Sequence, residues 1–291
     1  MQFHSLTLND RPAILPFFKN LTFNICDYTP GCTLMWKDYY KVEACIEDGF
    51  FATRQCSPAG EEFYGFPLGD AKKAIHRILE EDPSPKIEFA FLPEPALELF
   101  KDIPGASEPV EMTNFFDYIY RAEDLIGLSG KKYAGQRNHI HKFLKAASSW
   151  SLEDLNEKTL PAVLEFFESS YVTANSDGGT GDAENRLVRE VLSDPSAYEM
   201  FGNCLLADGK VVGFALAEHQ GNTLFTHIEK ADRGYPGAYQ MLVNQFTKAH
   251  TLPGIEFVNR EDDNGDEGLR TAKLAYHPCE LAKKYKITIT R

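Results

Sequence analysis

The feature that most restricts how this chain can fold is that parts of it are written twice. Pro12–Phe18 reads PAILPFF and Pro161–Phe167 reads PAVLEFF, and each follows a Leu-Asn-acidic triplet, Leu8-Asn9-Asp10 and Leu155-Asn156-Glu157. Further on, KIEFAF at Lys86–Phe91 matches GIEFVN at Gly254–Asn259. Ahead of each lies a helical pattern that opens at a glycine, Gly69 in GDAKKAIHRIL and Gly237 in GAYQMLVNQF. Gly69 to Ile87 and Gly237 to Ile255 are both eighteen residues apart. The first helix stretches, PAILPFF and PAVLEFF, are offset by 149 residues and the later landmarks by 168, so the copies differ by insertion. A period of this size is far too long for a solenoid and indicates two copies of one domain.

Periodicity gives each copy a coarse structure. In the second, helices are predicted over Ala162–Val172 and Glu184–Leu192. FGNCLLADGKVVGFALAEHQGNTLFTHIEKA then reads as three strands, with Asp208-Gly209 and Gly221-Asn222 as the tight turns between them. A helix from Gly237 to about Ala249, a strand IEFVN, a helix near Glu267–Leu274 and a strand YKITIT complete it. The first copy has a helix at 10–20, strands near 40–46, 49–56 and 62–66, a helix at 70–81 and the strand IEFAF, with MTNFFDYIYRAEDL as its late strand. This order resembles the Gcn5-related N-acetyltransferase fold. The expected class is α+β: two tandem acyl-CoA N-acyltransferase-like domains, each a mixed, mostly antiparallel sheet flanked by helices. The expected layout is a non-catalytic domain over 1–127, a basic linking helix over 128–148 and a catalytic domain over 149–291.

Composition narrows the setting. With 43% hydrophobic and 25% charged residues in 291, the chain can bury one large core or two of medium size. It has no apolar run of eighteen residues to span a membrane, and MQFHSLTLND lacks the basic head and apolar stretch of a secretory signal. Six cysteines without a C-x-x-C pair suit the reduced thiols of a cytoplasmic protein, not a disulfide framework or a zinc site. A net charge of −13 argues against a protein that coats nucleic acid.

Three stretches carry candidate chemistry. In the acyltransferase fold, a helix N-terminus meets the pyrophosphate of coenzyme A through bare N–H groups. Here that stretch is Arg233-Gly234-Tyr235-Pro236-Gly237-Ala238. Arg233, Gly237 and Ala238 suit it, but Pro236 stands where the family has glycine and has no N–H to give. Gly237 reads equally as the start of a helix after a proline turn. In the first copy, FPLGDAKK adds Asp70, which repels phosphate. The second stretch, NREDDNGDEGLRTAKLAYHP, begins where the strand IEFV ends, at the carboxyl edge where such sheets bind ligands. It lacks the ligand spacing of a calcium loop, so no metal is expected. Alone, it reads as a solvated acidic loop before a helix. The third, LSGKKYAGQRNHIHKFLK, is a helix capped by Ser129 with an apolar face of Tyr133, Ile140, Phe143 and Leu144. Its Arg137, His141 and Lys145 recur every fourth residue as one basic stripe. That stripe is either a solvated face or a phosphate site. His227 and Glu229 on the fourth strand are further candidate bases, or exposed strand-end residues.

The second and third stretches, with YIYRAEDLIG ahead of the basic helix, resemble a bacterial family of unknown function related to the C-terminal domain of phosphatidylglycerol lysyltransferase. That resemblance implies the tandem design shared with Fem-type peptidyltransferases, which pass an aminoacyl group from aminoacyl-tRNA to an amine or hydroxyl. It transfers Arg137, Asn138 and His139 from the basic helix as binding residues, with His141 and Lys145 beside them. From the acidic loop and its helix it transfers Asn259, Glu261, Asp263 and Lys273, with Tyr276 behind. Glu261 or Asp263 would hold the donor's amino group or act as base, and Lys273 would face the oxyanion. The expected partners are aminoacyl-tRNA and a small-molecule or lipid-head-group acceptor. The alternatives are an acyl-coenzyme A-dependent N-acetyltransferase and a non-catalytic binding module.

Overall fold

The computed structural model describes residues 1–47, 49–172 and 180–291. Backbone contacts divide the chain into two compact units. The first holds Met1–Asp117, Asp262–Asp266 and Leu281–Arg291, and the second holds Tyr118–Glu261 and Glu267–Glu280. This division differs from the expected 1–127, 128–148 and 149–291. The basic helix belongs to the second unit, and the end of the chain belongs to the first.

The first unit opens with the helix Arg11–Phe18, which carries Pro12 in its first turn, where the missing N–H costs nothing, and a second proline, Pro16, inside it. The strands Glu43–Glu47, Phe50–Cys56 and Glu62–Tyr64 form an antiparallel meander. The helix Ala71–Glu81 follows, its Lys73 N–H bonded to the Asp70 carboxylate, so Asp70 serves as an N-cap. Lys86–Pro93 then returns parallel to the third strand, with Tyr64 opposite Phe89. Phe50, Ile75, Phe89 and Leu92 anchor the core.

The second unit repeats this plan. Its helix Leu160–Phe167 also has proline in the first turn. Phe201–Ala207, Lys210–Gln220 and Thr223–Ala231 form the meander. Asp208 and Gly209 turn between the first two with φ of 50° and 76°, a conformation that favours such residues. The helix Ala238–His250 leads to Phe257–Asn259, which runs parallel to Thr223–Ala231. Both sheets are thus mixed and mostly antiparallel, flanked by helices, as expected.

The late strands depart from expectation. YKITIT forms Lys284–Thr290 but pairs antiparallel with Lys86–Pro93, so it completes the first unit. The segment assigned to the first copy forms Asp117–Arg121 and pairs with Phe257–Asn259. The two copies have exchanged their last strands. Alternation of Ile287 and Ile289 with Lys286 and Thr288 calls for a sheet with one buried face, and either sheet satisfies it. Burying the two isoleucines against Ile87 and Phe89 contributes roughly 1.5–3 kcal/mol each.

The basic stretch forms Lys131–Tyr133 and the helix Ala134–Ala146. Gly130 precedes the first turn with φ of 81°, so glycine, not Ser129, shapes this end. Tyr133 and Phe143 are buried, whereas Leu144 is 45% exposed and leaves the predicted apolar face. No described helix is long and apolar enough to cross a membrane.

Candidate functional site

The parallel strands of the second unit pair Thr223 with Phe257, Leu224 with Val258 and Phe225 with Asn259, and there the pairing stops. The first strand runs on to Ala231 while the second ends. His227 and Glu229 therefore lie beyond the last pair, past the point where the partner strand gives way to Arg260 and Glu261. The neighbouring ladder slips here as well. Leu216 faces Ile228 and Ala217 faces Thr226, so His227 is the extra residue of a bulge. Such a bulge re-aims a side chain.

That side chain is fully buried between two carboxylates. His227 Nε2 lies 2.8 Å from Glu218 Oε1, and Nδ1 lies 2.7 Å from Glu261 Oε1. Burial works to depress the imidazole pKa, but hydrogen bonds and charges from Glu218 and Glu261 outweigh it and hold it well above the ordinary value. The ring is thus an imidazolium donating from both nitrogens. Side-chain exposure is 3% for Glu218 and 21% for Glu261, so Glu261 is the wet end of the triad. Glu261 takes a left-handed φ of 57°, and its N–H donates to the Asn259 side chain at 2.7 Å. Asn259, fully buried, shapes the turn that aims Glu261 at His227.

Beside the triad, Arg260 Nε donates to both oxygens of Glu229 at 3.1 Å. Its guanidinium lies 4.8 Å from the ring centre of Tyr276 and 5.7 Å from that of Tyr120. Among the described residues, Arg260 Nη1 and the Tyr276 hydroxyl are buried without a hydrogen-bond partner. Burial pushes the Tyr276 hydroxyl up to about 12, so it keeps its proton. Lys273 is buried and donates to the Arg260 carbonyl at 2.6 Å, which ties the helix Glu267–Leu274 to the same turn.

Asn259, Glu261, Lys273 and Tyr276 are therefore brought together, and Asp263 is not. Asp263 lies in the first unit, 2% exposed, where its carboxylate accepts from the Gly265 N–H at 2.9 Å. Its neighbour Asp262 faces a cluster that sequence reasoning missed. Lys284, fully buried, places Nζ 2.6 Å from Asp27, 2.7 Å from Asp117 and 3.7 Å from Asp262. Glu218 was missed too. The common signal is a charged residue inside an apolar strand, as in VVGFALAEHQ.

On the basic helix, Arg137 turns inward and caps the preceding turn through the Leu128 and Gly130 carbonyls. Asn138, His139, His141 and Lys145 are exposed, as is Lys142, so the stripe persists without Arg137. Arg233 is exposed as well, before the helix Ala238–His250. Gly237 has φ of 74°, and a Cβ built there would lie 2.0 Å from the His139 carbonyl oxygen. The basic helix thus sits directly against the glycine that opens the next helix. The Ala238 N–H is bonded to the Tyr235 carbonyl at 3.2 Å.

The family model for the C-terminal region of phosphatidylglycerol lysyltransferase matches residues 18–288. An uncharacterised protein of Mycoplasmoides gallisepticum is 24% identical over 173 residues, 60% of this chain and 56% of that relative, so the chain spans little more than half of the relative's length. A conserved protein of unknown function from Bacteroides thetaiotaomicron superposes with a TM-score of 0.89 at 26% identity, covering 100% of both chains. The C-terminal domain of a putative lysylphosphatidylglycerol synthetase from Agrobacterium fabrum gives 0.69 at 11% identity over 96% of this chain and 91% of its own. FemX gives 0.58 at 12% identity over 98% and 97%, a likeness of fold. The chain belongs to the family of the phosphatidylglycerol lysyltransferase C-terminal domain.

Proposed function

We propose that the protein moves an aminoacyl group from aminoacyl-tRNA to an amine or hydroxyl acceptor, using Glu261 and its neighbours in the second unit. The observation that carries this reading is the buried His227, held at both nitrogens by carboxylates of which only Glu261 reaches solvent. An attacking amine or hydroxyl forms a bond to the ester carbonyl carbon and must lose a proton, which the Glu261 carboxylate accepts. The bond to the ribose oxygen then breaks, and the same proton restores the ribose hydroxyl. The imidazolium keeps Glu261 oriented between turns of the reaction. Arg260 Nη1 and the Tyr276 hydroxyl are donors without acceptors, each costing about 1–3 kcal/mol when buried, and they suit a developing oxyanion.

The exposed Lys142, Lys145 and His141 supply a basic face for the tRNA backbone in an otherwise acidic chain. Coenzyme A fits less well. A pyrophosphate at the start of the helix Ala238–His250 would meet the His139 carbonyl oxygen, a proline without an N–H and an Ala238 N–H already bonded. No step is therefore drawn through it. Incubating the protein with tRNA charged with labelled amino acids, beside a panel of amines and phosphatidylglycerol vesicles, tests the reading. Transfer should fall about 10²–10⁴-fold in Glu261→Gln while the protein stays folded. Charged tRNA that binds but is never discharged would mark a binding module instead.

A further inference from the structure

The first unit holds a cavity of about 60 Å³. A single water needs roughly 10–15 Å³ on this measure, so the space suits a group of several heavy atoms. It lies where the parallel pair Tyr64–Phe89 ends, since Gly65, Phe66 and Phe91 continue those strands into its wall. Seven of its fifteen lining residues are aromatic, against 12% of the whole chain, so rings gather here well beyond what composition supplies. Tyr28 and Phe51 are buried, whereas Trp36, Tyr40 and Phe66 are half-buried, so part of the wall borders solvent. Gly65 keeps one side clear, because a Cβ there would fall 2.7 Å from the Thr53 hydroxyl that also lines the space.

The polar groups of this wall are bonded to one another. The Tyr28 hydroxyl donates to the Phe91 carbonyl at 3.0 Å and accepts from the Phe66 N–H at 2.9 Å. The Thr33 hydroxyl donates to the Asp27 carbonyl at 3.3 Å, and the Gln55 amide donates to the Thr53 hydroxyl at 3.2 Å. Asp27, the one charged residue of the wall, is ion-paired with Lys284 at 2.6 Å, so the cavity calls for no cation. A water needs about two to four polar partners to settle in such a space, and these groups already have theirs. What the wall still offers is ring surface. Two pairs within it meet tilted or edge to face, Tyr28 with Phe66 at 6.2 Å and 85° and Phe18 with Phe51 at 6.0 Å and 57°. A planar ring that enters among them extends this packing of ring edge against ring face, which a saturated group of equal size cannot do.

We propose that this cavity binds a small neutral aromatic molecule, its ring held among Tyr28, Trp36, Tyr40 and Phe66. The site lies in the first unit and rests on none of the residues assigned to transfer. Trp36 lines the cavity, and Trp150, the only other tryptophan, is a surface residue 40% exposed. In a Trp150→Phe background, fluorescence therefore reports on the cavity directly. Titration with benzyl alcohol should give a saturable change. Cyclohexylmethanol has the same size without the aromatic faces, and benzylammonium and benzoate carry the same ring with a charge. Each of the three should bind weaker by roughly tenfold or more. Thr33→Phe brings a ring of the chain's own to the wall and should abolish the response to benzyl alcohol, with the urea midpoint showing that the variant is folded. A change that never saturates would overturn the proposal, as would equal affinity for cyclohexylmethanol or tighter binding of either charged ligand. Unchanged binding of benzyl alcohol in a folded Thr33→Phe protein would overturn it too. The comparison of the four ligands needs no variant of the wall, so it decides the matter even where Thr33→Phe fails to fold.

Discussion

The two units lay the same backbone plan around different chemistry. In each, a meander leads through a helix to a strand parallel to the meander's last member, and the parallel pairing breaks off early. In the second unit the break is furnished with charges: Glu218, His227 and Glu261, with Glu229 and Arg260 alongside. In the first it opens into an aromatic chamber with one acid at its wall, backed by Lys284. A duplicated fold keeps the early end of the parallel pairing, at the strand edge where such sheets bind ligands, and leaves the side chains there free to diverge. The exchanged late strands add a constraint. Lys284 reaches its partners from the far end of the chain, so the first unit is incomplete until residues 281–291 are in place.

Stability offers the sharpest way to break this comparison. Lys284→Met leaves the fully buried Asp117 without its cation and should destabilise the protein by about 3–5 kcal/mol. Arg260→Met strands only Glu229, which keeps 15% exposure, and should cost about 1–3 kcal/mol. Urea unfolding of both variants checks the order. A larger loss from Arg260→Met would mean that the second unit's charges hold the fold more than they serve the site.

Alkaline pH should separate the units next. The folded pKa of His227 lies above its unfolded value of about 6.5, so its stabilisation is complete below that value and fades as pH rises through the folded pKa. Lys284 is raised in the same sense from about 10.4, so its loss begins only far higher. Urea midpoints between pH 6 and 9 should decline in the wild type and less in His227→Gln, because the first unit's cluster is silent there. The smallest effect is expected on the basic helix. Lys142→Glu with Lys145→Glu should weaken tRNA binding and flatten its salt dependence by about two logarithmic units of slope, without touching Glu261.

Much of the fold was legible because local signals spell it out. Asp208-Gly209 sets a turn, the helix-start prolines recur in both copies, and Glu267–Leu274 forms its helix as the spacing predicts. The late strands were misassigned because an alternating pattern specifies a buried face but not which neighbour pairs with it. The site was half legible. Asn259, Glu261, Lys273 and Tyr276 do gather, but Asp263 belongs to the first unit. His227 and Glu229 could be read as exposed strand ends, and burial reverses that. Glu218 and Lys284 gave no local hint of partners, which lie on the next strand at His227, nine residues along the chain, and as far as 258 residues away at Cys26. A bulge one residue wide decides which side chain enters the centre, and no pattern of residue types encodes it.

The central claim is that the second unit takes its acyl group from charged tRNA and not from coenzyme A. Thermal unfolding of the purified protein tests it most directly, with acetyl-coenzyme A in one arm and charged or uncharged bacterial tRNA in the other. A ligand held at a hundredfold excess over Kd adds about 2.7 kcal/mol to the native state. The account predicts that charged tRNA raises the unfolding temperature and that acetyl-coenzyme A leaves it unchanged. A rise with acetyl-coenzyme A and none with tRNA would contradict it, since a pyrophosphate would then be accepted where the His139 carbonyl meets Gly237.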